Sequence, residues 1–278
     1  FSEGRPQRTA ERAPLAGSWD AVLLRRTSHY ADLMSGRTVL AIDIGGTHVK
    51  CRVSTDPEKR EFPSGPSLTP QQMVAGVKAL ARDWHFDAVS IGIPAPVFGN
   101  RPAHEPANLG SGWVNFDYDR DLARPVKLLN DAAMQAVGSY RAGKMLFLGL
   151  GTGLGSCMIA GKVILPLELA HLPYRKGRTF EDAVGLRGLK RLGKKAWRRQ
   201  VARVVGILRA ALLPDEVVLG GGNVAHLKEM PSGCRPGDNA NAFIGGFRLW
   251  DHEWANAVPI YDDGTPPRAN PALEALLA

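Results

Sequence analysis

The sequence predicts an α/β protein, because short apolar runs of strand length alternate with amphipathic stretches of helix length. Three glycine-rich segments follow or join predicted strands, at residues 45–46, 149–155 and 220–222. The predicted strands lie at residues 39–42, 49–53, 88–93, 126–129, 146–150, 157–159, 163–165 and 217–219. The predicted helices lie at residues 70–83, 132–142 and 239–250 and within the span 183–213.

The composition is that of a soluble globular protein with an excess of positive charge. Of the 278 residues, 44% are hydrophobic and 22% are charged, and the formal net charge is +8. This excess favours a polyanionic partner, such as a nucleotide, polyphosphate, nucleic acid or an anionic surface. The three cysteines lie far apart without a C-x-x-C pair, which argues against a disulfide framework. We therefore expect a reducing, cytoplasmic compartment. No apolar run of transmembrane length and no signal-peptide layout occur in the sequence, so no transmembrane helix is expected.

The segment 37–53, RTVLAIDIGGTHVKCRV, predicts a hairpin of two strands joined by Gly45 and Gly46. Walker A and Rossmann loops lead into a helix, so this segment is neither. Backbone N–H groups in such a turn can hold phosphate oxygens, and the Asp43 carboxylate can hold a hydrated Mg²⁺ beside them. The alternative is an ordinary Gly-Gly hairpin with a solvated aspartate.

A second strand–turn–strand segment, GLGTGLGS at residues 149–156, offers the same kind of phosphate-binding turn. Two such hairpins in one chain are more specific than either alone. The third cluster, at residues 220–222, follows a predicted strand. A nucleotide base or ribose can lie flat against its backbone, or the cluster is only a tight turn.

Several polar side chains stand where a ligand could bind. Asp131 joins a predicted strand to a predicted helix, a position suited to a ligand-binding carboxylate or to a helix N-cap. Asn108 lies in the long loop 99–113, where its amide can bind a sugar hydroxyl or its own backbone. Glu168 and His171 form an E-x-x-H pair that can bind hydroxyls, and without a second pair zinc is not expected.

A one-sided charge pattern marks the span 183–213, which contains no acidic residue. Nine basic residues lie from Arg187 to Arg209, beside apolar residues at helical spacing. The pattern predicts one or two amphipathic helices whose basic outer side either binds a polyanion or is simply solvated.

Taken in order, these motifs resemble those of the ROK family of sugar kinases, within the hexokinase–actin-like superfamily. The resemblance covers about residues 37–250 and rests on six motifs. They are AIDIGGTHVK (41–50), GIPAPV with NLGSGW (92–97 and 108–113), LLNDAAMQAVG (128–138), LGLGTGLGS (148–156), ELAH (168–171) and VVLGGGN (217–223). The PAPV motif and the loop ending N-x-x-x-x-W are similar to the polyphosphate glucokinase branch.

The resemblance implies two actin-like (ribonuclease H-like) α/β domains with the active site in the cleft between them. It also implies phosphoryl transfer from ATP or polyphosphate to the 6-hydroxyl of a hexose, glucose foremost, with Mg²⁺ and with Asp131 as general base. The implied sugar-binding residues are Asn108, Asn130, Asp131, Glu168, His171 and Glu181. The implied phosphate- or nucleotide-binding residues are Asp43, which also places Mg²⁺ through water, Gly45, Gly46, Thr47, Lys50, Thr152, Gly153, Gly221 and Gly222. A homodimer is a further expectation from the family.

The sequence departs from the family pattern at three places. Many ROK proteins carry a cysteine zinc knuckle after the ELAH-like motif, whereas this chain reads LPYRKGRTFEDAVG there, so no zinc site is expected. Ala170 replaces the usual glycine before the family's histidine. His48 stands where a small residue is common, and it could crowd or contact a phosphate.

We expect four segments along the chain. The first is an N-terminal extension at 1–36, which can be disordered apart from a short helix within 19–33. A smaller α/β domain at 37–129 follows, and then a larger α/β domain at 130–250 that contains the basic helices. The last segment is a Pro-rich tail at 251–278. The sequence shows no internal repeat.

Two alternatives to a glucokinase stay open. One is a non-catalytic sugar sensor or nucleic-acid-binding regulator on the same fold, against which the carboxylate at position 131 and the short N-terminal extension argue. The other is a kinase for mannose, fructose or an N-acetylhexosamine, because residue types alone do not distinguish epimers. Neither a membrane nor a nucleic acid is the expected partner.

Overall fold

The fold contains two five-stranded sheets with the same topology. A computed structural model describes residues 36–254, and the structural statements below concern this part of the chain. Within each sheet the strands lie in the order third, second, first, fourth, fifth, with the first strand antiparallel to the second and parallel to the fourth. This duplication exists in the topology and not as a sequence repeat, so the motifs' resemblance to an actin-like family predicted it and the search for an internal repeat did not.

The first sheet contains β1 (Val39–Ile44), β2 (His48–Val53), β3 (Arg60–Pro63), β4 (Ala88–Ile93) and β7 (Val126–Asn130). Between β4 and β7 in the chain, β5 (Val97–Phe98) and β6 (Arg101–Pro102) form a separate small hairpin. The second sheet contains β8 (Lys144–Leu150), β9 (Leu154–Ala160), β10 (Val163–Leu167), β11 (Glu216–Gly220) and β12 (Cys234–Pro236). The helices are α1 (Pro70–Leu80), α2 (Tyr118–Leu122), α3 (Asp131–Ser139), α4 (Phe180–Val184), α5 (Leu186–Leu212) and α6 (Asn241–Arg248).

Most of the predicted elements are confirmed, including the two glycine-rich hairpins β1–β2 and β8–β9. Helix α1 begins after Thr69, whose side chain forms a capping box with Gln72. The sequence prediction missed the edge strands β3 and β12 and the short helix α2. The predicted N-terminal extension up to residue 35, with its helix at 19–33, and the tail from residue 255 lie outside the described residues.

Each sheet has its own hydrophobic core. The core of the first half includes Leu40, Ile42 and the fully buried Trp113. The core of the second half includes Leu146, Val217 and the fully buried Trp197, which lies on α5. No helix within residues 36–254 is both long enough and apolar enough to cross a membrane.

Helix α3 follows the first sheet and packs against strands of both sheets and against α6. The two helices cross with their backbones in contact, because a Cβ atom on Gly138 of α3 would overlap the carbonyl of Asn241. In the same way, a Cβ atom on Gly245 of α6 would overlap the carbonyl of Met134. Glycine at both positions is therefore required for this close approach.

The last residue of α6 and the segment after α6 both contact the C-terminal end of α3. One guanidinium nitrogen of Arg248 donates to the carbonyls of Val137, Gly138 and Tyr140 at 2.9, 3.2 and 3.0 Å, which satisfies the C-terminal carbonyls of α3. Beyond α6, the ring of Trp254 packs edge-on against the ring of Tyr140, with 5.5 Å between the two ring centroids. Because Trp254 is buried, this part of the chain still belongs to the core.

The α3–α6 crossing predicts a large effect for one added methyl group. Gly138→Ala should lower the free energy of unfolding by about 1–3 kcal/mol or more, since its Cβ meets backbone that cannot move aside easily. Gly206→Ala on α5 is the matched control, because nothing lies within 4 Å of its added Cβ. That control should gain about 0.5–1 kcal/mol from helix propensity. Urea unfolding of both variants tests this, and equal effects would contradict the close crossing.

Candidate active site

Asp131 is the first residue of α3, directly after the last residue of β7. The helix cap is Asn130, whose side-chain oxygen accepts from the amides of Ala132 at 3.1 Å and Ala133 at 3.2 Å. The Asn130 amide nitrogen donates to the carbonyl of Ala95 at 3.3 Å. The alternative that Asp131 itself is the N-cap is therefore wrong, and the Asp131 carboxylate is available for another role.

The environment of Asp131 raises the pKa of its carboxyl to about 7, from an ordinary 3.8. Burial is the main cause, and the neighbouring charges of Asp43 and Glu168 add to it. The amide of Ala132, which donates to the carboxylate at 2.8 Å, opposes the shift. These couplings also show that the structure brings together three acidic residues that are distant in sequence.

Asp43 lies on β1 opposite Lys50 of β2, as a register pair of the first hairpin. Lys50 Nζ lies 3.7 Å from Asp43 Oδ2, and the Asp43 side chain is only 13% exposed. Burial raises the pKa of Asp43, and the ammonium of Lys50 counteracts part of that rise. The Lys50 ammonium, which the family resemblance implies as a phosphate-binding group, therefore also neutralises part of the Asp43 charge.

The first glycine turn leaves Gly46, Thr47 and His48 exposed. It is closed by the Gly45 amide, which donates to the His48 carbonyl at 2.9 Å. His48 Nδ1 lies 3.2 Å from Thr47 Oγ1, so the ring turns toward its neighbour on the turn. A Cβ atom placed on Gly46 would lie 3.7 Å from the Cβ of Asn108, which puts the exposed Asn108 beside this turn.

The second and third glycine clusters meet each other. The Asn223 side-chain amide donates to the Gly151 carbonyl at 2.7 Å, so the third cluster braces the second turn. Gly221 has φ +83° and lies against the backbone of Leu150, where a Cβ would clash, so glycine is required there. Thr152 and Gly222 are both exposed beside this junction.

Glu168 and His171 flank a single turn of 3-10 helix, and His171 Nε2 lies 3.6 Å from Glu168 Oε2. Burial raises the pKa of Glu168 and the nearby Glu181 adds to the rise, while His171 and His104 oppose it. His104 is a candidate site residue that sequence reasoning missed. It lies four residues before Asn108 in the same loop, and no local motif distinguishes it.

Glu181, on α4, lies against the second glycine turn. Its carboxylate occupies the space that a Cβ on Gly153 would need. Arg187, on α5, lies 3.0 Å from Glu181 Oε1 and 3.3 Å from Asp182 Oδ1. This carboxylate therefore lies at the junction of the acidic cluster, the second turn and the start of α5.

Trp113, which ends the long loop, belongs to the core and anchors that loop. Its backbone amide donates to Glu105 Oε2 at 3.0 Å, and the Tyr118 hydroxyl donates to its carbonyl at 3.0 Å. The indole N–H is the buried side-chain polar group that finds no hydrogen-bond partner within residues 36–254. Asn108 is thus carried on a loop that is fixed at its far end.

The acidic groups can be tested against the metal that the sequence predicts. Within residues 36–254, no three His, Cys, Asp or Glu side chains are placed to enclose a metal ion. Mg²⁺ bound with substrate phosphates needs only one or two protein carboxylates, because water and phosphate oxygens complete its shell. Asp43, buried beside an exposed glycine turn, fits that kind of partial site.

The raised pKa of Asp131 predicts a pH-dependent cost to stability. Because folding raises this pKa from 3.8 to about 7, the folded protein loses stability as the pH rises between those values. Asp131→Asn removes the titration, so its melting temperature relative to the unsubstituted protein should increase from pH 4 to pH 7 and then level off. Thermal unfolding across that range measures it, with Glu229→Gln, which changes an exposed carboxyl, as control. A pH-independent difference would contradict the buried charge.

Comparison with known proteins identifies similar sequences and folds. Residues 39–165 match the sequence model of the ROK family. The chain is 33% identical to polyphosphate glucokinase of Mycobacterium leprae over 132 residues, which cover 42% of this chain and 40% of that protein. It is 31% identical to N-acetylmannosamine kinase of Shigella boydii over 167 residues, which cover 53% and 56%. The chain thus spans about half the length of the curated relatives it matches.

Among solved structures, the fold is similar to that of an inorganic polyphosphate/ATP-glucomannokinase from Arthrobacter sp. strain KM. The TM-score is 0.66 at 22% identity, over 77% of this chain and 98% of that chain. This likeness shows the fold, which is the actin-like α/β fold with its two similar sheets. Residues 39–165 are thus similar in sequence to the ROK family, and the chain shares the fold of this solved sugar kinase.

Proposed function

We propose that the protein is a sugar kinase that transfers a phosphoryl group from ATP or inorganic polyphosphate to the 6-hydroxyl of a hexose, with glucose as the leading acceptor. The observation that carries the proposal is the Asp131 carboxyl, buried at the start of α3 and with its pKa raised to about 7. A general base is most effective when its pKa lies near the working pH. Two glycine-rich turns that can hold phosphates lie on the hairpins next to it.

The transfer follows from these groups. Asp131 takes the proton of the sugar hydroxyl as the new O–P bond forms. The bridging P–O bond of the donor breaks, and the shortened donor leaves with the electron pair of that bond. Phosphoryl transfer needs positioning and charge neutralisation more than covalent chemistry by the protein. The helix dipole at the start of α3 and the glycine-turn amides supply part of that neutralisation.

The acceptor side consists of the polar groups that surround Asp131. Carboxylates and amides bind sugar hydroxyls as acceptors and donors, and the Glu168 carboxylate, which is 45% exposed and lies 3.6 Å from His171, is an accessible acceptor. Asn130 has its oxygen committed to the helix cap, so only its remaining N–H is available for a hydroxyl. We propose these acceptor-side residues: Asn108, Asn130, Glu168, His171 and Glu181, with His104 added from the structure.

The donor side consists of the glycine turns. In our proposal Gly45, Gly46 and Thr47 hold the transferred phosphoryl group together with Lys50, and Thr152 and Gly153 hold the phosphates behind it. Gly221 and Gly222 lie where a nucleotide base would meet backbone. Asp43 would hold Mg²⁺ through water, and the ion would neutralise donor charge and relieve the cost of burying this carboxylate.

The sugar and the assembly are also proposals. The relatives named above include a glucokinase, a glucomannokinase and an N-acetylmannosamine kinase, so mannose and N-acetylhexosamines stay open beside glucose and fructose. A non-catalytic sugar sensor or nucleic-acid-binding regulator is less favoured, since a sensor has no need of a buried base with a raised pKa. We retain a homodimer and a domain division near residue 130 as proposals.

The proposal predicts turnover in a panel of donors and sugars. ATP and polyphosphate are tested with Mg²⁺ against glucose, mannose, fructose and N-acetylmannosamine, and at least one pair should give the sugar phosphate. Asp131→Asn should lower kcat by about 10²–10⁴-fold while sugar affinity changes little, because the base acts mainly in the transition state. The control is Glu229→Gln, which changes an exposed carboxyl. Sugar binding without turnover by any pair would favour the sensor.

Asp43 should control the pH at which the base works. In the unsubstituted protein, kcat/KM should fall below about pH 7 as the Asp131 carboxyl becomes protonated. Asp43→Asn removes a negative charge that raises this pKa, so the acid limb should move to lower pH even if the rate also falls. The exposed Glu61→Gln should leave the limb in place. An unchanged limb in Asp43→Asn would contradict the coupling.

A further inference from the structure

Helix α5 begins on the second glycine turn. The first amide of the helix, on Leu186, donates to the carbonyls of Gly151 and Thr152, both at 3.1 Å. Gly185, just before it, packs so closely on the Thr152 carbonyl that a Cβ would lie 2.9 Å away. Anything that occupies the exposed side of the second turn therefore lies next to the start of α5.

From this start, α5 presents a series of cations that the protein does not neutralise. The other basic side chains of the helix are engaged: Arg187 pairs with Glu181, and Arg191, Arg198 and Arg209 donate to backbone carbonyls. Five basic residues, which we call the basic track, are exposed and have no hydrogen bond or ion pair within residues 36–254. The basic track is Lys190, Lys194, Lys195, Arg199 and Arg203.

The second part of the track lies on one face of the helix. Lys195, Arg199 and Arg203 follow one another at intervals of four residues, which places them in one row. The opposite face of α5 is buried in the core of the second half through Trp197, Val201 and others. Like charges at this spacing destabilise a helix, so a row of three without counter-charges has a cost that a bound anion would relieve.

The length and shape of the track indicate an extended ligand. The row from Lys195 to Arg203, which lies beyond the kink at Gly193, by itself rises by about 12 Å, at about 1.5 Å per residue. A nucleoside triphosphate held at the second turn would not reach the far end. Gly193, with φ +69° and ψ 161°, is not helical, so α5 consists of two helical segments that meet at a kink between the two parts of the track.

The ligand is more consistent with a bare polyanion than with a nucleic acid. Proteins that bind single strands stack bases on exposed aromatic side chains. The aromatic residue of α5, Trp197, is fully buried, and its indole donates to the Val184 carbonyl at 2.8 Å. The outward face beyond Arg203 continues with the small residues Gly206 and Ala210, which offer nothing to a base.

We propose that the basic track binds linear inorganic polyphosphate, with the phosphates just behind the transferred group at the second glycine turn and the rest of the chain along α5. The proposal rests on the proposed kinase function and assigns its donor class. The track holds the part of the donor that does not react, so it should affect donor affinity and leave the acceptor side unchanged.

The test compares two triple variants with the same change in net charge. Lys195→Gln/Arg199→Gln/Arg203→Gln removes the row on α5, and Lys78→Gln/Arg82→Gln/Arg141→Gln removes three exposed charges on other elements. Calorimetry measures binding of long-chain polyphosphate and of tripolyphosphate at several salt concentrations. The α5 variant should bind the long chain about tenfold or more weakly, with a smaller salt dependence, and should bind tripolyphosphate as before. Its kcat/KM should fall for long-chain polyphosphate and stay unchanged for ATP.

Three results would overturn the proposal. One is an equal loss of long-chain binding in both triple variants, which would make the effect one of net charge. Another is tight long-chain binding that the α5 variant retains. The third is preferential binding of single-stranded RNA over polyphosphate at equal phosphate concentration, which would assign the track to nucleic acid. If no donor gives turnover but the long-chain binding is lost only in the α5 variant, the track is supported and the kinase proposal fails.

Discussion

The close packing of α3 is the constraint on which the site depends. Its backbone touches α6 at Gly138, and the Cβ of Ala132 fills the space that a side chain at Gly155 of the second hairpin would need. The same helix starts at the end of β7 in the first sheet. Because its neighbours leave no room for a shift, the first residue of α3 has a fixed position relative to both glycine hairpins. That first residue is Asp131.

Burial at this position has an electrostatic consequence. Asp131 and Asp43 are close enough to raise the pKa of the Asp131 carboxyl, and Lys50 only partly compensates Asp43. The protein thus holds negative charge at a place where a phosphoryl donor, itself negative, would arrive. A bound cation and the basic side of α5 are the features that would offset this repulsion. We therefore expect the proposed site to be less stable without its ligands than with them.

Much of the fold and part of the site could be predicted from the sequence, because the informative signals are local. Glycine pairs between alternating apolar residues identified both hairpins, and a carboxylate at a strand–helix junction identified Asp131. Other features depend on residues far apart in the chain. The electrostatic coupling of His104 with Glu168 results from where a long loop lies, and β12 is a three-residue edge strand without an apolar pattern. Asn130 and Asp131 are adjacent and both are residue types that cap helices, so the sequence does not show which of them is the N-cap of α3. The side-chain geometry of the folded protein decides in favour of Asn130.

The measurement that tests this account most directly is the titration of the Asp131 carboxyl in the protein without ligands. Carbon-13 NMR of aspartate carboxyls, with Asp131→Asn used to assign the resonance, follows that group alone. The account predicts a pKa of about 7, shifted to lower pH in Asp43→Asn. A pKa near the ordinary value of 3.8 would mean that the carboxyl is solvated, and it would contradict the buried base and the packing that creates it.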